Sequence, residues 1–309
     1  MSTTTARPDF PMAIDSTFLS SFRSCPRKAY LTYIEHWKPQ NESVHLVAGK
    51  AFASGVEAAR RAFYVDGHSP QDSCAIGLQA LITEYGDFDC PEDSAKSLTR
   101  MCGALEFYFE HYPLGDDGAV PILVGGKTGI EFSFAEPLDI LHPVTGDPII
   151  YSGRADAVCH YNDGIFVFDE KTASQLGASW SRQWDMRSQF TGYIWAARQS
   201  KIDVQGAVVR GVSILKTKYD TQQAITYRSQ WEIDRWLEQV HRDIARAIQA
   251  WESGYWDYSL DHACAEYGGC PMQIVCKSPT PETWLPMYFT QRVWDPLART
   301  ETLLTPTAQ

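Results

Sequence analysis

Asp156, Asp169, Glu170 and Lys171 stand within one stretch, YSGRADAVCHYNDGIFVFDEKTAS, residues 151–174. Carboxylates beside a lysine suit divalent-metal chemistry on a phosphodiester. Hard cations take oxygen ligands, and a cation offsets the charge that builds on an attacked phosphate. The same residues also fit a strand end carrying ordinary solvated charge, and taken alone the two readings balance. Charges of this kind are costly to bury without a task.

The elements that must position them read as a β-hairpin. Two runs rich in Val, Ile, Phe and Tyr flank Asn162-Asp163-Gly164, a strong tight-turn signal. Alternation along the second run puts Asp169 and Lys171 on one face and Glu170 on the other. Before the hairpin, strands are predicted over residues 127–134 and 138–142, with Glu131 expected as an exposed strand residue. After it, the sequence predicts a helix over 180–200, where Gln189 and Tyr193 share a face, and strands over 204–216 and 224–228. A helix over 231–251 carries Ile233, Trp236, Leu237, Val240, Ile244 and Ile248 at core spacing. Upstream, Asp15-Ser16 offers a helix cap and Pro26 a second helix start. Three helices are then predicted over 47–64, 72–85 and 94–111.

With 309 residues, 44% of them hydrophobic, the chain can bury one large core with additions. No apolar run reaches membrane-spanning length and the N-terminus lacks a signal-peptide core, so the expected location is cytoplasmic. A net charge of -11 does not advertise nucleic-acid binding, although a local basic groove remains compatible with it. Arg27-Lys28, Arg60-Arg61 and Arg182, Arg187 and Arg198 read mostly as scattered surface charge. Eight cysteines in that compartment argue against a disulfide framework. Cys264, Cys270 and Cys276, in CAEYGGCPMQIVC, form a metal or cluster signal, whereas Cys74, Cys90 and Cys102 lack ligand spacing.

The ordered set Gly153-Arg154-Ala155-Asp156, Asp169-Glu170-Lys171-Thr172 and Gln189-Phe190-Thr191-Gly192-Tyr193 resembles the PD-(D/E)XK nuclease superfamily. Its RecB-like exonuclease branch has a GxxD strand, a DxK strand and a QxxxY helix in that order. The resemblance extends to Cys25 near the N-terminus with Cys264, Cys270 and Cys276 near the C-terminus, which bind a [4Fe-4S] cluster in iron–sulfur members. The phrase YGGCP looks like bacteriophage-encoded members. Two departures stand out. Ala53 occupies the place where branch members carry a histidine, with Glu57 one turn later as a possible substitute or a plain surface glutamate. The cysteine gap of five residues is wider than the branch's usual two, which keeps zinc as an alternative.

The resemblance implies an α/β PD-(D/E)XK restriction-endonuclease-like core, a mixed sheet flanked by helices, with a helical N-terminal part and a cysteine-stapled C-terminal segment. The expected organisation is a flexible tail (1–12) and a single nuclease domain (13–278). Within that domain lie a helical region over about 16–111, a catalytic core over about 120–230, and a helix with the cysteine cluster over about 231–278. A C-terminal tail (279–309) follows. Asp156 and Asp169 would hold Mg²⁺ or Mn²⁺ with the Glu170 backbone, and Glu57 is a weaker candidate ligand. Lys171 would act at the phosphate, while Gln189 and Tyr193 would position DNA or pack the core. The implied activity is a metal-dependent DNA exonuclease, rather than endonuclease, of recombination, repair or phage DNA processing. A recombinase or single-strand-binding protein is a candidate partner, and the host cytoplasm is the location for a phage-encoded member. The alternative is a catalytically inactive nuclease-fold protein that binds DNA or a host component.

Overall fold

The turn at Asn162 adopts a left-handed conformation (φ 50°) and closes an antiparallel hairpin between strands Pro148–Tyr161 and Gly164–Ala173. A computed structural model describes residues 7–260, 262–265 and 269–303. The chain forms two compact units. One comprises Glu42–Phe134 and Arg154–Ile233; the other comprises Met1–Asn41, Ala135–Gly153 and Asp234–Gln309.

In the first unit, Gly164–Ala173 runs parallel to Val204–Ile214, setting Asp169 beside Val209, Glu170 beside Arg210 and Lys171 beside Gly211. Parallel neighbours need a crossover. This one carries helices Ala178–Arg182 and Ser188–Gln199. Strand Tyr219–Tyr227 returns antiparallel to Val204–Ile214, so the sheet is mixed, as expected. The helix expected over 180–200 is thus split. The carbonyl of Trp184 accepts from Arg228 Nη2 (2.9 Å), a tertiary bond that competes with the helical ladder.

Helix Val44–Tyr64 starts at Ser43, whose hydroxyl accepts from the His45 N–H, and buries Val47, Ala51, Phe52, Val56 and Ala59. It packs against helix Pro70–Tyr85, with Leu98–His111 completing the helical part of this unit. The close approach depends on glycine. A Cβ on Gly77 would lie 2.6 Å from the Gly55 carbonyl oxygen and 2.9 Å from Ala59 Cβ. Gly77→Ala is therefore expected to cost about 1–3 kcal/mol, the usual penalty of overpacking. A urea melt reads this as a lower midpoint at unchanged slope; an unchanged midpoint would mean the helices can part.

In the second unit, Asp15 caps helix Ser16–Ser24 by accepting from the Thr17 and Phe18 N–H groups (2.9 and 2.8 Å). Ala13–Ile14 pairs in parallel with Ile150 and Tyr151. Of the tail expected over 1–12, residues 1–6 lie outside the described residues. Phe10 is buried, and the carbonyls of Pro8 and Phe10 bond Trp251 Nε1 (2.7 Å) and His142 Nε2 (2.9 Å). Of the segment 279–309, residues 304–309 also lie outside. The described part forms helix Pro281–Tyr288 and strands Phe289–Asp295 and Thr300–Leu303.

The expected cysteine-stapled C-terminal segment is not what the chain builds. All eight cysteines are free thiols. Met272, Val275, Leu285 and Phe289 instead form an apolar cluster with Leu31, and Phe289–Asp295 pairs antiparallel with Trp37–Pro39. Burial of apolar surface and a strand ladder hold the segment where a cross-link was expected. The other departure is a single strand, Ile130–Leu141, in place of two. Among the described residues it has one neighbouring strand, an edge position that tolerates the missing N–H of Pro137.

Candidate active site

The alternation of a strand places the Asp169 and Lys171 side chains together, and Lys171 Nζ lies 2.5 Å from Asp169 Oδ2. Asp156 comes from the adjacent strand. Its Oδ2 accepts the Glu170 N–H at 2.9 Å, which fixes one carboxylate against the backbone between the other two. The Glu170 side chain turns to the opposite face. There it meets Arg60 through two bonds (2.5 and 3.0 Å) and accepts from the Tyr108 hydroxyl (3.0 Å), all three side chains buried.

These environments separate the carboxylates by role. Burial, then Asp169 and Glu170, hold Asp156 well above the usual carboxylate range. Burial also raises Asp169, with Lys171 pulling against it. For Glu170 burial opposes ionisation but Arg60 outweighs it, and the pKa falls. Burial alone would lower the Lys171 ammonium; Asp169 and Asp156 outweigh it, so the pKa rises and the group stays charged. Glu170 is therefore neutralised from behind, while the Asp156–Asp169 pair remains short of positive charge. That deficit fits a hard divalent cation. Among the described residues no three His, Cys, Asp or Glu side chains group as a metal cage, so the carboxylate pair would need main-chain oxygen or solvent to complete a coordination shell.

The family description of the PD-(D/E)XK nuclease superfamily matches residues 16–277. The chain belongs to this superfamily. No curated protein matches it significantly. Among solved structures, one similar chain is a Eubacterium rectale protein named as a candidate exonuclease. It is 12% identical with a TM-score of 0.47, over 80% of this chain and 85% of that one. Another is SSO0001, 13% identical with a TM-score of 0.32, over 77% of this chain and 98% of that one.

The remaining residues of this nuclease-superfamily chain fall into four groups. Gln189 and Tyr193 meet each other, Nε2 to hydroxyl at 2.8 Å, and the Tyr193 ring is buried against Phe134 and Phe190. Glu57 pairs with Arg61 on its own helix (2.8 Å), and Glu131 pairs with Arg154. Gly49, four residues before Ala53, borders strand Gly164–Ala173: a Cβ there would lie 4.0 Å from Thr172 Oγ1. Ala53 brings no ligand to that helix. Cys25, Cys264, Cys270 and Cys276 line one small cavity with Lys28, Tyr258 and Met272. Burial raises the Cys270 and Cys276 thiols, and the neighbouring thiols add to it.

Arg60 and Tyr108 are what the sequence reading missed. Arg60-Arg61 was expected as surface charge, yet Arg60 follows Val56 by four residues and so lies on the buried stripe. That spacing was the available signal. Arg210 is a second case, a charge inside the apolar run VQGAVVRGVSI. It is buried, bonded to Asp117 (2.5 Å) and Gln223 (3.0 Å), and stacked over Tyr112.

Proposed function

We propose that this protein is a Mg²⁺- or Mn²⁺-dependent deoxyribonuclease that removes nucleotides from DNA ends, of the RecB-like type. The carrying observation is the placement of Asp156 and Asp169 on adjacent strands, with Asp156 held on the Glu170 N–H and Lys171 beside Asp169. Asp156 and Asp169, with the Glu170 carbonyl, would hold the ion. A bound ion would supply Lewis acidity and acidify its water. Lys171, kept protonated by the carboxylates, serves as a cation against the phosphate rather than as a base. The Glu170 carboxylate is spent on Arg60 and stays out of the chemistry. Gln189 and Tyr193 brace the helix beside the site. Among the described residues no helix is long and apolar enough to cross a bilayer.

The test is degradation of end-labelled linear DNA and of closed circular DNA, with Mg²⁺, Mn²⁺ or EDTA. Metal-dependent loss of the linear substrate alone is expected. Lys171→Ala should lower kcat by about 100-fold, in line with removing one electrostatic stabiliser. Undiminished cleavage by that variant would remove Lys171 from the reaction.

Cys25, Cys264, Cys270 and Cys276 line one cavity, which motivates a test for a second, soft-metal site, a [4Fe-4S] cluster or a zinc ion, although in the described arrangement no three of these thiols group closely enough to hold a metal. Anaerobic protein with absorbance near 400 nm and stoichiometric iron and sulfide identifies the first. A colourless preparation with stoichiometric zinc identifies the second.

A further inference from the structure

The connection over residues 183–187 is tightly mounted. Buried Arg228 donates to Thr191 Oγ1 (2.9 Å), Thr226 Oγ1 (2.5 Å), the Tyr227 carbonyl (2.7 Å) and the Trp184 carbonyl (2.9 Å). The Trp184 ring packs against Trp180 and Phe190 (5.4 and 5.7 Å). The Arg187 backbone is fixed on both sides, its N–H to the Trp184 carbonyl (3.2 Å) and its carbonyl to the Thr191 N–H (3.3 Å).

The side chain of Arg187 contrasts with this mount. It is exposed, and among the described residues its guanidinium has no hydrogen bond or ion pair. Arg198, further along the same helix, is different: its guanidinium is consumed by the Val204 and Arg228 carbonyls (3.0–3.3 Å). Helix Ser188–Gln199 packs on both Gly164–Ala173 and Val204–Ile214, and Trp180, against which Trp184 packs, covers Gly211, the neighbour of Lys171 on the adjacent strand, so the connection that carries Arg187 lies beside the Asp169–Lys171 end of the sheet. Lys171 is already engaged with Asp169. A phosphodiester entering an acidic protein beside two carboxylates meets more negative charge than Lys171, shared with Asp169, offsets alone, and a second cation is needed.

We propose that Arg187 is a substrate-binding residue, its guanidinium taking a non-bridging oxygen of a DNA phosphate at the Asp156–Asp169 site. This rests on the nuclease reading and names one contact that reading leaves open. Arg228, through Trp184 and Thr191, is the positioning residue that holds the loop. Guanidinium–phosphate pairs are charge-assisted and frequently bidentate, so lysine should substitute only in part.

The experiment measures kcat and KM for wild type, Arg187→Ala and Arg187→Lys on end-labelled DNA with Mg²⁺ from 50 to 200 mM salt. Mn²⁺ titration calorimetry and thermal melts run in parallel. The alanine variant should raise KM about 10-fold at 50 mM salt, leave kcat within about threefold, and flatten the log–log salt slope by about 0.9, the loss of one phosphate contact. The lysine variant should keep that slope with an intermediate KM. An alanine variant with the wild-type KM and slope overturns the Arg187 assignment alone. So does one that loses Mn²⁺ affinity or folding while keeping the slope, because that marks a structural role. Wild type that leaves DNA intact removes the nuclease reading itself.

Discussion

Arg60→Ala should lose about 3–5 kcal/mol of stability, the cost of stripping one partner from a buried ion pair. Glu170 would be left buried with only the Tyr108 hydroxyl and no cation at bonding distance. Against a total of about 5–15 kcal/mol for a typical domain, such a loss is a large share of the stability. A double variant, Arg60→Met with Glu170→Leu, should recover most of it, since removing both charges removes the desolvation problem as well. Urea melts of the two single variants and the double variant give the coupling energy. A coupling near zero would mean that solvent reaches Glu170 in solution. The pair also predicts an acid limb. The Glu170 pKa is lowered in the folded state, so its contribution is present above the unfolded carboxylate value and is lost as pH falls through the folded one.

Asp156→Asn should act in opposite directions on activity and stability. Under the proposed function cleavage should drop by about a thousandfold or more, because one of the two carboxylates proposed to hold the metal is gone. Metal-free protein should nevertheless melt at a higher temperature. The amide oxygen can still accept the Glu170 N–H, while the repulsion from Asp169 and Glu170 disappears. The pH dependence follows from the raised pKa values of Asp156 and Asp169. Their contribution to stability is fully present below the unfolded carboxylate pKa and is lost as pH rises through the higher folded values. In EDTA the wild type should therefore soften as pH climbs out of the acid range, and the asparagine variant should soften less. Because a metal ion competes with the retained protons, the melting shift from Mn²⁺ should grow with pH. A pH-independent Mn²⁺ shift, or equal Mn²⁺ affinity in the variant, would exclude Asp156 as a ligand.

Local chemistry explains which parts of this were legible in the sequence. The Asn162-Asp163-Gly164 turn and the alternation around Asp169 are short-range signals, and the hairpin with its Asp169–Lys171 pair follows from them. The helix break at 183–187 is not local. It arises from Arg228, some forty residues later in the chain, taking the Trp184 carbonyl. Glu170 was read as contributing only its backbone. Its N–H does hold Asp156, but the fate of its side chain depended on Arg60, 110 positions away. The cysteine spacing was visible, yet it says which thiols share a cavity and not what fastens the segment. That task falls to Leu31, Met272, Val275, Leu285 and Phe289, whose pairing no spacing rule encodes.

The parallel pairing of Gly164–Ala173 with Val204–Ile214 has a consequence during synthesis. Until residue 214 has left the ribosome, one side of strand Gly164–Ala173 has no partner. Its first half, Ile165-Phe166-Val167-Phe168, is an apolar run of high β-propensity with an open edge, the kind of segment that nucleates aggregation. Asp169, Glu170 and Lys171 follow it directly and interrupt it with charge. These three charged residues thereby interrupt the nascent apolar strand, so alanine or leucine substitutions there should lower soluble yield, whatever they do to cleavage.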